Sequence, residues 1–319
     1  MIFSREFGTA EEFAEALRPA GGEVVQTSQG AGRWSALQLA LPAGGMVHCE
    51  AGAAVAGRGA LESGRICFLM PWRKGCPHYY RGIEMPENGM GVYTAGAEHV
   101  GKAAGLSAWT LFVFDYPRFL QHLSRFQAGA DGFAPCSFNA IDLQPRRRAK
   151  IEGVVTEIAA ACHDPEKAAA YSRPAVLRSV EETILDTLAA EMTARTESNG
   201  TPRRLRHHSL SRIVFKIWEL ARQLPNENLS LEELCAATGV SARQVQNAFI
   251  EMTGIRPTAF LRAHRLQRAK RMLLSGEAES VKVAAYTCGF PDLGRFSAFY
   301  RIMFGEQPRV TLQRGGGRS

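Results

Sequence analysis

Two helix-turn-helix patterns about fifty residues apart close this chain, and the duplication restricts its last third to an all-helical unit with two like parts. In the first, Ser230-Leu231-Glu232-Glu233 opens a short helix, Gly239 ends it, and Ser241 starts a second helix running through Val245 to Phe249. In the second, Ser280 opens a helix containing Val281 and Ala285, Gly289-Phe290 turns the chain, and Asp292 starts a helix through Phe296 to Tyr300. Ser230 with Glu233 and Ser241 with Gln244 have capping-box spacing, in which each side chain bonds the other's backbone N–H. Gly239 suits the left-handed position after a helix end, where a Cβ would clash.

If Val245 and Phe249 point into a core, Arg243, Gln246 and Asn247 lie largely on the opposite face by their three- and four-residue spacing. Arginine can bridge guanine O6 and N7, and glutamine or asparagine can pair with adenine N6 and N7 from the major groove. On a lone helix such residues are ordinary solvated surface; their setting in a doubled unit gives them a second meaning. Between the units, Pro257 starts a long helix that Gly276 ends, with Leu261, Leu266, Ala269, Met272 and Leu273 as its apolar set. Arg262, Arg265, Arg268, Lys270 and Arg271 occupy its other faces and are expected near a phosphate backbone, or simply in water.

Charge follows the same division. Residues 201–319 hold 19 Lys and Arg against 9 Asp and Glu, whereas the first 200 residues hold 19 against 22. A basic domain attracts phosphate and gains affinity by releasing condensed counterions. Seven scattered cysteines, none in a Cys-x-x-Cys pair, argue against a disulfide framework or zinc knuckle and fit a reducing cytoplasm. No apolar stretch reaches the length of a membrane-spanning helix, so a cytoplasmic protein without membrane association is expected.

Residues 23–115 read as β-rich: Trp34 to Leu41 partly alternates, and Ile66 to Met70 and Trp109 to Phe114 are short apolar runs separated by glycine-containing breaks. A small barrel or sandwich follows from that pattern. Helices are predicted at about 117–126, at about 146–162, and from near Ser172, with Leu177, Val180, Ile184 and Leu188 along one face of the third. That stripe packs either on the β domain or on a second copy of the chain. Glu197 to Pro202 is the best linker, being small, polar and ended by a helix breaker, and Arg203-Arg204 and Arg206-His207-His208 make a basic entry to the next domain.

The main rival for the first half is a metal-dependent enzyme, because small β-barrels can hold iron or manganese through histidines and a carboxylate. His48-Cys49-Glu50 lacks a second nearby histidine, His78 and His99 have no evident ligand spacing, and no Ser/His/Asp order, phosphate loop or nucleophilic cysteine stands out. No metal, cofactor or catalytic residue is therefore expected. Trp72, Tyr79, Tyr80, Tyr93 and Trp109 are candidates to line an effector cavity, although most aromatics in such a segment are core.

Residues 210–313 resemble the DNA-binding domain of the AraC/XylS family of bacterial transcription regulators. The likeness rests on Leu231, Leu234, Ala236, Gly239-Val240-Ser241, Phe249, Gly254, Pro257, Arg265-Leu266, Ala269 and Leu273, then Ala285, Gly289-Phe290, Asp292, Phe296, Phe299 or Tyr300, Phe304-Gly305 and Pro308. It implies that Ser241, Arg243, Gln246 and Asn247 meet one segment of promoter DNA while Leu293, Gly294, Arg295 and Ala298 face the next. It also implies a cupin-like N-terminal domain that binds a small-molecule effector and forms a homodimer, and an activator that contacts RNA polymerase. The ending Gly305 to Leu312 resembles the branch containing ethanolamine-utilisation regulators. Ala284 stands where the family has a larger aliphatic residue, which implies a looser helix or compensation by a neighbour.

The fold expected is thus α+β: a β-rich sensor and dimerisation domain with C-terminal helices at 1–196, a linker at 197–208, and an all-α domain of about seven helices at 209–319.

Overall fold

The computed structural model describes residues 2–17, 22–29, 32–72, 76–94, 99–126, 139–193 and 203–316. These residues form twelve strands and twelve helices, with the strands confined to the first half of the chain. A seven-stranded sheet is built in the order β1 (Ile2–Phe7), β3 (Trp34–Leu41), β4 (Gly44–Ala51), β11 (Ser107–Asp115), β6 (Arg65–Pro71), β9 (Gly89–Thr94) and β12 (Asn139–Asp142). A five-stranded sheet runs β2 (Gly22–Gln26), β5 (Val55–Gly59), β10 (His99–Ala103), β7 (His78–Tyr80) and β8 (Ile83–Glu84). The sandwich read from the sequence is therefore present, and it begins before residue 23, with β1 and the short helix α1 (Ala10–Leu17).

Both faces of the larger sheet are covered. Trp109 and Leu111 of β11 share one core with Cys67 and Leu69 of β6, Val24 and Val55 of the smaller sheet, and Phe13 of α1. Phe112, Phe114, Ile66 and Phe68 point the other way, against α2 (Tyr116–Leu123), α3 (Pro145–Ala161) and α5 (Pro174–Thr193). Burial on both sides is why these strands read as unbroken apolar runs rather than as an alternation. A further short helix, α4 (Pro165–Ala170), joins α3 to α5. Of the α5 stripe, Ile184 and Leu188 are buried in this second core and Leu177 and Val180 pack against it, so the β domain occupies the face that a second copy could have used.

The expected linker residues 197–202 lie outside the described residues. The chain is helical again from Arg203, in α6 (Arg203–Gln223), so the basic stretch 203–208 belongs to a helix rather than to a loop. Then follow α7 (Leu231–Thr238), α8 (Ala242–Thr253), α9 (Pro257–Ser275), α10 (Val281–Thr287), α11 (Leu293–Phe304) and α12 (Pro308–Gly316). Trp218, Phe249, Phe260, Phe296 and Tyr300 are fully buried at the centre of this domain. Val25, Ala56 and Val100, from the outer face of the five-stranded sheet, enter the same cluster. The chain is thus layered: helices, large sheet, small sheet, helical domain.

Candidate nucleic-acid interface

Local sequence sets both short helices of each unit. Ser230 accepts from the Glu233 N–H at 3.2 Å while the Glu233 carboxylate accepts from the Ser230 N–H at 2.6 Å, closing the capping box of α7. Ser241 and Gln244 do the same for α8, with the Ser241 N–H bonding Gln244 Oε1 at 3.0 Å. Gly239 ends α7 at φ 72°, the left-handed value its position requires. In the second unit Ser280 caps α10 and Asp292 caps α11, its carboxylate accepting from the Arg295 N–H at 2.9 Å. These bonds satisfy N–H groups that a helix start leaves without partners.

In α8, Val245, Ala248 and Phe249 are fully buried, whereas Ser241, Arg243, Gln246 and Asn247 are exposed. The division expected from spacing therefore holds, and three hydrogen-bonding side chains stand clear of the core on one helix. In α11, Phe296 and Tyr300 are buried while Gly294, Arg295 and Ala298 are exposed. Leu293 departs from expectation, because it is half-buried and packs against the domain core. Arg295 is 82% exposed and tethered only loosely to Asp292, at 3.8 Å, so its fork is free to reach a base edge. Ala284 is fully buried in the same core as Met272 and Cys288.

The long helix α9 plays a part its periodicity did not disclose. Arg265, expected near a phosphate backbone or in water, is 8% exposed and turned inward. Its guanidinium donates to the Gly289 carbonyl at 2.7 Å and to Asn228 Oδ1 at 2.9 Å, and it lies 4.6 Å over the Phe290 ring. Asn228 precedes the first unit and Gly289 is the turn of the second, so one side chain ties the two together. Lys270 is likewise buried, with its ammonium 4.5 Å from the Phe304 ring centroid. Arg268 donates to Asn226 Oδ1 at 2.6 Å, and Arg262 lies over Phe299. Spacing alone could not separate Arg262 from Arg265, since α9 is packed on more than one side and polar residues at its margins are buried where they find acceptors.

What remains accessible between the units is a groove of about 470 Å³ lined by Ser230, Thr258, Arg262, Phe299 and Arg295 among others. It joins the start of the first unit to the start of α11 and carries guanidinium groups along its length, a surface suited to a phosphate backbone.

The β domain grips this helical domain through two cations. Arg58 of β5, 6% exposed, makes a two-pronged bond to Glu23 at 2.9 and 3.0 Å, reaches Glu219 of α6 at 3.0 Å, and lies over the Phe215 and Trp218 rings. Glu219 also accepts from Arg222 and Gln223, and these bonds, Arg222 first, hold its carboxyl at about 2, below its ordinary 4.5. Lys102 of β10 donates to the carbonyls of Ile250 and Glu251 at 3.3 and 2.7 Å, capping the C-terminal turn of α8. A cation there meets the negative end of the helix dipole. No sequence signal could have found this contact, which joins residues about 150 positions apart.

The residues weighed as metal ligands are separated. His48 bonds Thr110 Oγ1 at 2.9 Å within the large sheet and packs edge-on to Trp72, whereas His78 is buried in the small sheet. The side chain of His99 lies outside the described positions. Among the described residues no three His, Cys, Asp or Glu side chains converge as a metal site. Tyr80, Tyr93 and Trp109 line an apolar cavity of about 60 Å³ between the sheets, Trp72 lines a different one, and Tyr79 lies under the Lys102 ammonium at 5.0 Å.

Residues 234–314 match a family described as a helix-turn-helix domain. The XylDLEGF operon transcriptional activator of Pseudomonas putida is 31% identical over 132 residues, 41% of this chain and 38% of that protein. The transcriptional activator RhaS of Klebsiella pneumoniae is 32% identical over 87 residues, 27% of this chain and 31% of that one. The chain thus spans well under half the length of these curated relatives. A solved transcriptional regulator with an AraC-type DNA-binding domain from Chromobacterium violaceum is 26% identical, over 34% of this chain and 96% of that one, with a TM-score of 0.32.

Proposed function

We propose that this chain is a transcription regulator of the AraC/XylS kind that binds promoter DNA sequence-specifically with α8 and α11 in successive major-groove segments. The observation that carries the proposal is the pair of capped helices, each with exposed hydrogen-bonding residues, tied by Arg265. Ser241, Arg243, Gln246 and Asn247 read the first segment. In the second, Arg295 makes the polar contact while Gly294 and Ala298 allow close approach and favour thymine methyls or groove shape. Leu293 supports α11 from its half-buried position. Phosphates run along the groove of Arg262 and Arg295.

The sensor and dimerisation part extends over 1–196, and the reader begins with α6 at Arg203. In this reading an effector bound by the cupin-like N-terminal part of a homodimer shifts an equilibrium between two placements of the reader, as differential affinity for the two states requires. Arg58 and Lys102 are the contacts through which that shift passes, since they bond α6 and the end of α8 directly. The response is activation, with RNA polymerase as the partner at the promoter, and the chain is not an enzyme.

Selection of full-length protein on random duplexes tests this reading. Two short conserved blocks about one helical turn apart are expected, with the preference in one block lost in Arg243→Ala and in the other lost in Arg295→Ala. Enrichment of no sequence, or identical logos for both variants and the parent, would reject it.

A further inference from the structure

At one end of the sandwich, Pro71 at the end of β6 and Trp72 after it, Pro77 and His78 at the start of β7, Met85 and Pro86 after β8, and Arg148 of α3 surround a cavity of about 230 Å³. Three side chains of its wall each carry a buried nitrogen that meets no hydrogen-bond partner among the described residues: Trp72 Nε1, His78 Nε2 and Arg148 Nη1. His78 is 4% exposed and Arg148 6%. Buried polar atoms are nearly always paired, and this wall carries three residues with an unpaired one, of which His78 also borders the cavity between the sheets.

The chemistry of these atoms selects the group that would pair with them. An indole N–H and a guanidinium are donors without acceptor capacity, so the missing partner is an acceptor. Arg148 is already oriented: its Nε donates to Glu152 at 2.8 Å and its Nη2 to the Pro71 carbonyl, which leaves Nη1 directed elsewhere. Burial lowers the His78 imidazole to about 4, so it is neutral near pH 7 and offers one N–H or one lone pair. At the rim stand Glu84 and Glu87, both exposed, which oppose a second negative charge on anything entering. Pro71, Pro77, Met85 and Pro86 give the remaining wall an apolar character.

We propose that this cavity is a binding site for a small monocarboxylate with a short apolar body, its two oxygens accepting from Arg148 and Trp72 and its hydrocarbon lying against the prolines and Met85. The site stands on its own geometry; its regulatory consequence rests on the effector reading above. His78 is followed by Tyr79, whose ring lies under the Lys102 ammonium that caps α8, so a ligand fixing the start of β7 acts one residue from the contact with the first reading helix.

Calorimetric titration of the full-length protein with butyrate, hexanoate and cyclohexanecarboxylate, each beside its primary amide, and with inorganic phosphate, is the test. Saturable binding of at least one carboxylate is expected, with its amide about tenfold weaker and phosphate no better than the amide. Trp72→Phe keeps an aromatic ring beside His48 while removing the indole N–H; it should weaken the carboxylate about tenfold while the thermal midpoint changes little. Arg148→Lys, which keeps the charge but loses the planar fork, should weaken it further. Equal affinity for acid and amide, tighter binding of phosphate, no saturable carboxylate binding, or full affinity in both variants would each overturn the site. Repeating operator binding with the carboxylate separates the two readings. A change in DNA affinity that Trp72→Phe abolishes supports regulation from this cavity, whereas carboxylate binding without such a change leaves the site standing and removes it as the effector pocket.

Discussion

Arg243 and Gln246 are exposed on α8 whereas Val245 and Phe249 are buried, so truncating the first two should leave the helix core intact. Replacing either with alanine should cost about 1–3 kcal/mol on the preferred duplex and flatten base preference at one position. Fluorescence anisotropy on single-base variants measures this, and the thermal midpoint should barely move. Glu219 makes a pH-dependent contribution of known sign. Its carboxyl, held at about 2 by Arg222, Arg58 and Gln223, stabilises the fold fully above its ordinary 4.5, and that contribution is lost as pH falls from there towards 2. Glu219→Gln should therefore be less stable than the parent at pH 7, by roughly 1 kcal/mol after allowance for solvent screening, with the gap closing in acid. Denaturant melts across that range would show it. The exposed side of α8 was legible because burial on a helix repeats every three to four residues. The inward turn of Arg265 was not, since its acceptors Gly289 and Asn228 lie 24 and 37 positions away.

At the level of elements, short helices such as α7 and α8 depend on their ends, because so few intrahelical bonds offset the cost of starting them. Ser230→Ala or Ser241→Ala should cost about 1 kcal/mol each, read by chemical denaturation. Gly289 has less latitude. Its φ is 73°, and an added Cβ would come within 2.2 Å of the Asn226 carbonyl, so Gly289→Ala should displace the turn that Arg265 holds. Arg265→Met leaves the Gly289 and Asn228 acceptors without this donor and should cost about 2–3 kcal/mol, with operator affinity falling further than stability alone accounts for. Caps and turns were readable because each is decided within about four residues. The order of strands was not, because pairings such as Leu111 with both Val47 and Leu69 join distant segments, and α1 was too short for its pattern to be distinguished.

Across the whole molecule, the four layers place the five-stranded sheet directly against the helical domain, with Lys102 of β10 at the end of α8. Arg58→Ala with Lys102→Ala should raise hydrogen exchange at the last turn of α8 and at the middle of α6, leaving the two β cores protected. If the first 202 residues hold a homodimer together as proposed, their loss should weaken operator binding while preserving its sequence preference, because a second half-site partner would go with them. Binding of the full chain should decline steeply with added salt, as counterion release from the 201–319 surface demands. Equal affinity of the truncated and full-length proteins would argue against a dimer.

The Arg265 tie makes a ruler of the two units. One guanidinium bonds both Asn228 and Gly289, so changing the spacing of the two units to follow a misplaced target would break those bonds. Adding a single base pair between the two blocks of an operator turns the distal block by about a tenth of a revolution around the duplex axis. Such an insertion should cost nearly as much affinity as erasing the distal block, and a tolerant operator would have to conserve its internal spacing as strictly as its letters.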